Sequence, residues 1–322
     1  MNSCVLRCFL MLFMMSAGGT FAQVFPSKPL RIVVPFPAGG PTDIVARLIA
    51  AKLTEITGQQ ALVENRAGAN GLIGVDSVVK SAPDGYTMVM TTASPVAISP
   101  AVYPRMPFDT LRDLAAVTLA TTTPELLVIH PSVPVKSMKE LVALAKARPG
   151  QLNIASTGSG SLPHLAMELL KVAAKVDLTH VPYNGAAPAV TALVGGQVHG
   201  MFADLPVLLP YVQSGRLRAL GMASPKRASL LPDLPTMAEQ GLASVDAVNW
   251  YGVLVPAATP REIVARLNEI FKKALSDSGL REKLVARGAE PIGNAPEQFS
   301  AYLKDDIARW ARLAQSTTIK VD

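Results

Sequence analysis

The feature that most constrains the fold is an alternation of short β-rich runs with amphipathic helical patterns along most of the chain. The run Leu30–Val34 is typical of a buried strand, and residues 42–57 place apolar side chains at helical spacing before Gly58. This order of elements is the pattern of parallel α/β layers, so we predict an α/β protein. Further strands are predicted at 61–64, 86–91, 126–129, 152–155, 179–182, 198–202, 217–221 and 249–255.

Two capping boxes predict where later helices begin. Residues 137–140 read Ser-Met-Lys-Glu, and residues 259–262 read Thr-Pro-Arg-Glu, with Pro260 in the first helical position. The chain after this point is predicted to be helical, with Phe299 and Trp310 as core residues. A terminal stretch made only of helices needs a sheet to cover, so we predict that the chain returns to its first domain.

This return divides the chain into two α/β lobes joined by two crossings. The crossings are predicted near residues 121–125 and 247–251. Lobe 1 then consists of residues 23–123 and 249–322, and lobe 2 of residues 124–248.

The first 22 residues differ in character from the rest. Arg7 is their only charge, a short apolar run covers residues 8–17, and small residues lead to Ala22. The pattern predicts a secretory signal peptide of residues 1–22, cleaved after Ala22. The alternative, a membrane anchor, needs about 20 apolar residues, and this run is shorter. We therefore predict a periplasmic protein, exported by a cleaved signal peptide, soluble and monomeric.

Cysteine usage and charge exclude several classes of function. Cys4 and Cys8 both lie in the predicted signal, so the mature chain has no disulfide framework and no thiol chemistry. Removing Arg7 leaves 29 basic residues against 24 acidic ones, because the full chain has 30 and 24. This net charge of +5 is scattered, which suits an anionic ligand and does not indicate nucleic acid.

Enzyme motifs are not found. The four histidines form no His-x-x-x-His pair, and no Gly-x-Ser-x-Gly elbow, Walker loop or Gly-x-Gly-x-x-Gly fingerprint occurs. We predict no metal and no cofactor. His164, at a predicted helix start, is either a catalytic residue or a packing and hydrogen-bonding residue, and the second interpretation is favoured.

Two glycine-containing loops have the chemistry to hold an anion. Residues 35–43 and residues 156–161 each follow a strand and open a helix, and neither loop contains Arg or Lys. Free N–H groups at a helix start carry partial positive charge, and glycines let a ligand approach the backbone. The alternative is an ordinary turn in which Thr42 or Ser161 caps its own helix. Two such loops at strand carboxyl ends favour ligand binding.

Six segments resemble the substrate-binding proteins of tripartite tricarboxylate transporters, also called Bug-type receptors. The resemblance covers the whole mature chain in order, and the segments together are specific although each is short. They are PFPAGGPTDIVAR (35–47), ENRAGANG (64–71), PDGYT (83–87), VPYNGAAPA (181–189), GGQV (195–198) and WYGV (250–253).

The resemblance implies a two-lobe periplasmic-binding-protein fold of the type II, Venus-flytrap kind, with a ligand in the cleft and no catalysis. It implies a small carboxylate ligand, such as a di- or tricarboxylate, an amino acid or an aromatic acid, and integral-membrane transporter subunits as partners. The ligand-binding residues that it implies are Phe36, Ala38, Gly39, Gly40, Asp43, Thr91, Thr92, Ser94, Ser156, Thr157, Gly158, Ser159, Gly160, His164, Tyr183, Asn184 and Asp204.

Two positions depart from the family pattern. Relatives often carry Asp directly after the Phe equivalent to Phe202, whereas this chain has Ala203 there and Asp204 next. A shift of one residue along a strand moves a side chain to the other face. Asn184 stands where Lys is frequent, which removes a positive charge near the cleft. Both changes bear on ligand choice.

Three functions are compatible with these residues. The leading hypothesis is a transport receptor without catalysis. The second is a sensor that reports its ligand to a membrane kinase, and the third is a cleft enzyme with His164 or Asp204 as a base.

Overall fold

The structure, a computed structural model, describes residues 25–316 as a mixed α/β fold. The predicted signal peptide lies outside these residues. The strands are β1 (Leu30–Val34), β2 (Ala61–Asn65), β3 (Thr87–Thr91), β4 (Leu114–Ile129), β5 (Asn153–Ser156), β6 (Thr179–Pro182), β7 (Gly200–Asp204), β8 (Arg218–Ala223), β9 (Val248–Pro256) and β10 (Glu290–Pro291). The helices are α1 (Pro41–Thr57), α2 (Leu72–Val79), α3 (Ser99–Val102), α4 (Thr110–Asp113), α5 (Met138–Ala147), α6 (Leu162–Ala174), α7 (Ala186–Val194), α8 (Leu205–Gln213), α9 (Arg261–Ser276), α10 (Ser278–Val285) and α11 (Pro296–Ser316).

The long strand β4 connects two sets of strands. In the first sheet, β1 pairs in parallel with β2 and β3, and β9 runs antiparallel between β3 and β4. In the second sheet, β5 pairs in parallel with β6 and β7, while β7 and β8 run antiparallel to β4. Strand β4 pairs with β9 as far as Pro124 and with β7 and β8 from Glu125 onward. One strand therefore contributes to both sheets and fixes them side by side.

The first sheet is covered as the helical pattern predicts. In α1 the apolar side chains Val45, Ile49 and Leu53 are fully buried. The helix ends at Gly58, whose φ of 68° lets its N–H reach the carbonyl oxygen of Thr54. Burying three such side chains contributes roughly 1.5–3 kcal/mol each before the cost of ordering them.

The carboxyl-terminal helices pack as a second cover, and the two predicted core aromatics are buried. Phe299 is fully buried and Trp310 is 1% exposed. The ring of Phe299 meets the ring of Trp250 edge-on, with centroids 5.5 Å apart. The prediction that this whole region is helical is wrong at β10, where Pro291 pairs with Thr121 of β4.

The helix starts divide into correct and incorrect predictions. Ser137 and Ser161 are N-caps, and their hydroxyls accept hydrogen bonds from the N–H groups of Glu140 and His164. The predicted cap at 259 is wrong, because α9 begins at Arg261 and its N-cap position is Pro260. The proposed cap by Thr42 is also wrong, since the N-cap of α1 is Gly40.

A membrane-spanning element is not found between residues 25 and 316, where every helix is too short or too polar to cross a bilayer.

Candidate functional site

The carboxyl ends of four strands from both sheets meet at one cleft. Phe36 follows β1 and Thr92 follows β3, both in the first sheet, while Thr157 follows β5 and Asp204 ends β7 in the second. Ligands of open α/β sheets bind at the carboxyl ends of the strands. This cleft is therefore the candidate site.

Two neighbouring cavities occupy the cleft and share Phe36 and Thr157. The inner cavity has a volume of about 30 Å³, and the outer cavity a volume of about 250 Å³. The inner cavity is much the smaller of the two, and residues from both sides of the cleft line it. The inner cavity is lined by Phe36, Gly40, Pro41, Thr42, Thr92, Ser94, Glu125, Thr157, Pro163, Ala186, Ala203, Asp204 and Asn249.

Hydrogen bonds also join the two sides of the cleft. Each bond joins a residue on the side of the first sheet to a residue at or just before the start of α6. The three bonds run from Asn70 Nδ2 to the Gly160 carbonyl at 3.2 Å, from Tyr103 Oη to the Ser159 carbonyl at 2.9 Å, and from the Leu162 N–H to Ser94 Oγ at 3.1 Å. The described conformation is therefore a closed one.

The first loop is shaped by Asp43, whose side chain stays on its own side of the cleft. The carboxylate accepts hydrogen bonds from the Gly39 N–H at 2.9 Å, from Arg47 Nε at 3.0 Å and from Asn65 Nδ2 at 3.0 Å. Burial acts to raise the pKa of Asp43, but the hydrogen bonds from Arg47, Gly39 and Asn65 hold this pKa below its usual value. Asp43 thus supports the loop and lines neither cavity.

The start of α1 presents free donors to the inner cavity. Gly40 is the N-cap, and Pro41 has no N–H to offer. Thr42 and Asp43 are the next two residues, and helix geometry gives their N–H groups no intrahelical acceptor. Gly40, Pro41 and Thr42 all line the inner cavity. The positive end of a 17-residue helix therefore faces the site.

The second loop is held from behind by two histidines. The Gly160 N–H donates to His164 Nδ1 at 3.0 Å, and Ser156 Oγ lies 2.6 Å from His180 Nε2. The two imidazole rings stack in parallel with centroids 3.8 Å apart. Burial lowers the pKa of each ring to about 4, with a smaller contribution from the charge of Lys171.

His164 is consequently a supporting residue in this arrangement. Its Nδ1 accepts the Gly160 N–H, so the ring proton of the neutral form is on Nε2, which lies 3.8 Å from Glu168. Neither His164 nor His180 lines the inner or the outer cavity. In this conformation the His164 ring therefore supports the second loop and does not face either cavity.

A buried acidic pair lies at the floor of the inner cavity. Asn249 Nδ2 donates to both oxygens of Asp204 at 3.0 Å, and the Tyr251 hydroxyl donates to one of them. Burial raises the pKa of Asp204 to about 6, although these hydrogen bonds oppose the shift. Glu125 lies directly opposite Asp204 in the β4–β7 register and is 1% exposed. Burial and the neighbouring Asp204 raise the pKa of Glu125 well above its usual value.

The structure brings together ten of the seventeen predicted site residues at the two cavities. Those at the inner cavity are Phe36, Gly40, Thr92, Ser94, Thr157 and Asp204. Those at the outer cavity are Phe36, Thr157, Gly158, Ser159, Tyr183 and Asn184. Those that line neither are Ala38, Gly39, Asp43, Thr91, Ser156, Gly160 and His164.

Three polar residues that line the inner cavity were not predicted as ligand contacts. Thr42 was considered only as a helix cap, while Glu125 and Asn249 were not considered as site residues. The sequence does contain a signal for Glu125. Between Asp113 and Lys136 it is the only Asp, Glu, Lys or Arg residue. A lone acid within so apolar a run needs a reason to be buried.

Substitution of Gly40 tests the position of the ligand. Gly40→Val should reduce affinity at least about 10-fold with little change in stability, because a side chain there enters the inner cavity and its φ of −75° suits any residue. A Cβ would also lie 3.3 Å from the Pro37 carbonyl oxygen. The matched control is Gly39→Ala, whose φ of 78° costs about 1 kcal/mol of stability while its Cβ meets nothing within 4 Å. Calorimetry and thermal unfolding measure both effects; equal affinities for the two variants would contradict the placement.

The fold and the cleft define a two-lobe periplasmic binding protein, and solved structures agree. A structure described as a periplasmic transporter is 37% identical, with a TM-score of 0.90 over 92% of this chain and 100% of that one. Rpa4515 of R. palustris with adipate is 37% identical, with a TM-score of 0.88 over 90% of this chain and 97% of its own. MatC of Rhodopseudomonas palustris with bound malate is 34% identical, with a TM-score of 0.85 over 90% and 99%.

The sequence comparisons identify the family. The profile described as "Tripartite tricarboxylate transporter family receptor" matches residues 45–319. Protein BugT of Bordetella pertussis is 37% identical over 325 residues, which cover 100% of both chains. The chain belongs to the tripartite tricarboxylate transporter receptor family, and the predicted resemblance is confirmed.

Proposed function

We propose that this protein is an extracytoplasmic receptor that captures a small carboxylate and delivers it to the integral-membrane subunits of a tripartite tricarboxylate transporter. The observation that carries the proposal is the convergence of free donors from both sides of the cleft on one cavity. Gly40, Pro41 and Thr42, which open α1, line it from one side, and Thr157 lines it from the other.

A carboxylate suits these donors. Hydrogen bonds from N–H groups to an ionised acceptor are about twice as strong as those between neutral groups, and the α1 dipole adds to them. The residues that line the two cavities include no Lys, Arg or His, so within the described chain the anion is held by dipoles and hydroxyls. Relatives solved with adipate and with malate support a carboxylate as the class of ligand.

The location and organisation follow from the same proposal. Residues 1–22 serve as a cleaved signal peptide, and the mature protein is a periplasmic monomer. Residues 23–123 and 249–322 form lobe 1, and residues 124–248 form lobe 2. The change of β4 partners between Pro124 and Glu125 supports a boundary at that point.

A receptor without turnover is favoured over an enzyme. Asp204 is occupied by Asn249 and Tyr251, and His164 is occupied by the Gly160 N–H, so the two candidate bases are engaged in structural contacts. In residues 25–316, no group of three or more His, Cys, Asp or Glu side chains is arranged to hold a metal ion. In a receptor of this kind, the free energy of ligand binding stabilises the closed cleft and drives no reaction.

A screen of small carboxylates by thermal unfolding, paired with product analysis, tests the proposal. An acid at 100 times its dissociation constant should stabilise the folded state by about 2.7 kcal/mol and should be recovered unchanged. Gly40→Val, tested at the same acid concentration, should be stabilised by about 1.4 kcal/mol or less, as a loss of affinity of at least about 10-fold requires. An acid that binds and is chemically converted would overturn the receptor interpretation, and an absence of binding to every carboxylate would overturn the ligand class.

A further inference from the structure

Glu125 is a buried acid whose one hydrogen-bonding neighbour within residues 25–316 is another acid, Asp204. It is 1% exposed, it lines the inner cavity, and no N–H or hydroxyl group of the described residues donates to its carboxyl oxygens. Asp204, beside it, also accepts hydrogen bonds from Asn249 and Tyr251. Buried acids in folded proteins are almost always paired with donors, so the lack of any N–H or hydroxyl donor to Glu125 calls for an explanation.

The surroundings of Glu125 offer no positive charge. Asp204 faces it from β7, Asn249 and Tyr251 belong to β9, and the α1 start contributes Thr42. The loops after β3 and β5 add only hydroxyl side chains to the cavity lining. The titratable groups of this cluster within the described chain are therefore Glu125, Asp204 and Tyr251, and none of them is basic.

We propose that Glu125 determines specificity by accepting a hydrogen bond from an ammonium or hydroxyl group of the bound acid. The inference rests on the proposed function, because it assigns a second recognition point to the same site. The receptor would then favour amino or hydroxy acids over the unsubstituted acid of the same skeleton.

This specificity is expected because two groups that need opposite partners line the same small cavity. The N–H groups that open α1 require an anion, whereas Glu125 and Asp204 require a donor or a cation. A ligand with a carboxylate and a nearby donor satisfies both. An acid without that donor leaves Glu125 with only Asp204 as a partner, and a second carboxylate at this point would meet the acidic pair at close range.

Proton sharing within the pair predicts a pH signature. A single proton between Glu125 and Asp204 relieves their repulsion, as in other close carboxyl pairs. An ammonium ligand neutralises the pair and displaces that proton, so its affinity should rise with pH. A hydroxyl can donate to a carboxylate or accept from a carboxylic acid, so the affinity of a hydroxy acid should change less.

The test is calorimetry with succinate, L-malate and L-aspartate, which share one skeleton and differ in a single hydrogen, hydroxyl or ammonium group. The parent should bind malate or aspartate at least about 10-fold more tightly than succinate, as expected for a site built around a ligand donor. In Glu125→Gln this preference should fall to within about 3-fold, because the amide is isosteric but is a poorer acceptor and does not titrate. Glu282→Gln, an exposed change on α10, should behave like the parent.

Measuring affinity as a function of pH uses only the unaltered protein, so this test remains valid even if Glu125→Gln is poorly folded. From about pH 5.5 to about pH 8 the aspartate affinity should increase relative to that of malate. If the screen selects a longer acid, the same three-way comparison is made on its skeleton.

The outcomes separate the two proposals. Equal binding of all three acids by the parent, or unchanged discrimination in Glu125→Gln, overturns the role of Glu125 and leaves the receptor function standing. Failure of every carboxylate to bind overturns both.

Discussion

Gly185→Val should reduce ligand affinity at least about 100-fold by preventing the cleft from closing, because closure couples the ligand to both sides of the site. Gly185 follows β6 and lies against Pro37 of the first loop. A Cβ built on it would be 2.6 Å from Pro37 Cδ and 2.9 Å from Pro37 Cγ. Both atoms belong to a rigid ring, which has little freedom to move aside. The contact exists only when the two sides of the cleft meet, so the open form should fold and remain soluble.

The control must separate this clash from backbone strain, since Gly185 has a φ of 104°. Gly215→Val provides it, because Gly215 has a φ of 71° and its Cβ would meet nothing within 4 Å. Both variants should lose stability on the order of 1 kcal/mol or more from the left-handed conformation. Only Gly185→Val should lose affinity in calorimetry and fail to contract in small-angle scattering with ligand. Equal affinities in the two variants would show that closure does not pass through this contact.

The sequence predicts the two loops well because their chemistry is local. A strand, a glycine turn and a helix start are neighbours in the chain, and together they fix where free N–H groups occur. Gly40 and Thr157 could therefore be predicted as site residues without knowledge of the sheet order, and both line the inner cavity. The boundaries of β1 and β6 were likewise predicted to the residue.

Strand β4 could be predicted only in part, because its first half lacks a clear strand pattern. Residues 126–129 form a continuous apolar run, whereas residues 114–125 mix alanine, threonine and proline. Their extended conformation is set by pairing with β9, which is distant in the sequence. Long-range pairing of this kind overrides local propensity.

The floor of the site could not be predicted for the same reason. Glu125, Asp204 and Asn249 are brought together by the registers of three strands, and no local spacing in the sequence links them. The position of Asp204, one residue later in the chain than the Asp of the family pattern, illustrates the point. Its place at the end of β7 lets it reach Asn249 and Tyr251 and still line the inner cavity, while Ala203 lines the cavity beside it.

The largest expected effect on stability comes from protonation of the stacked histidines at low pH. His164 and His180 both have pKa values lowered to about 4 by burial, against about 6.5 in the unfolded chain. A lowered pKa means that the unfolded state takes up protons first as the pH falls. The stabilisation is therefore complete above about pH 6.5 and is lost as the pH falls through about 4, by on the order of 3 kcal/mol for His164 and by less for His180, whose more exposed ring is screened by solvent. Because the rings repel when both are charged, the two contributions are not fully additive.

The acidic pair acts in the opposite direction, so variants are needed to see each effect. Asp204 has a raised pKa of about 6, and its contribution to stability is complete below about pH 4 and lost as the pH rises through 6.

The double variant His164→Asn/His180→Gln removes the histidine contribution, while its amides keep the hydrogen bonds of Nδ1 and Nε2. The contribution of the acidic pair should then remain. Urea unfolding at pH values from about 4 to about 7 should then show stability falling with rising pH in the double variant. The parent should gain several kcal/mol relative to the variant over the same range, because its histidines favour the folded state as they lose their protons. Parallel pH profiles for the two proteins would show that the rings are not held neutral behind the loop.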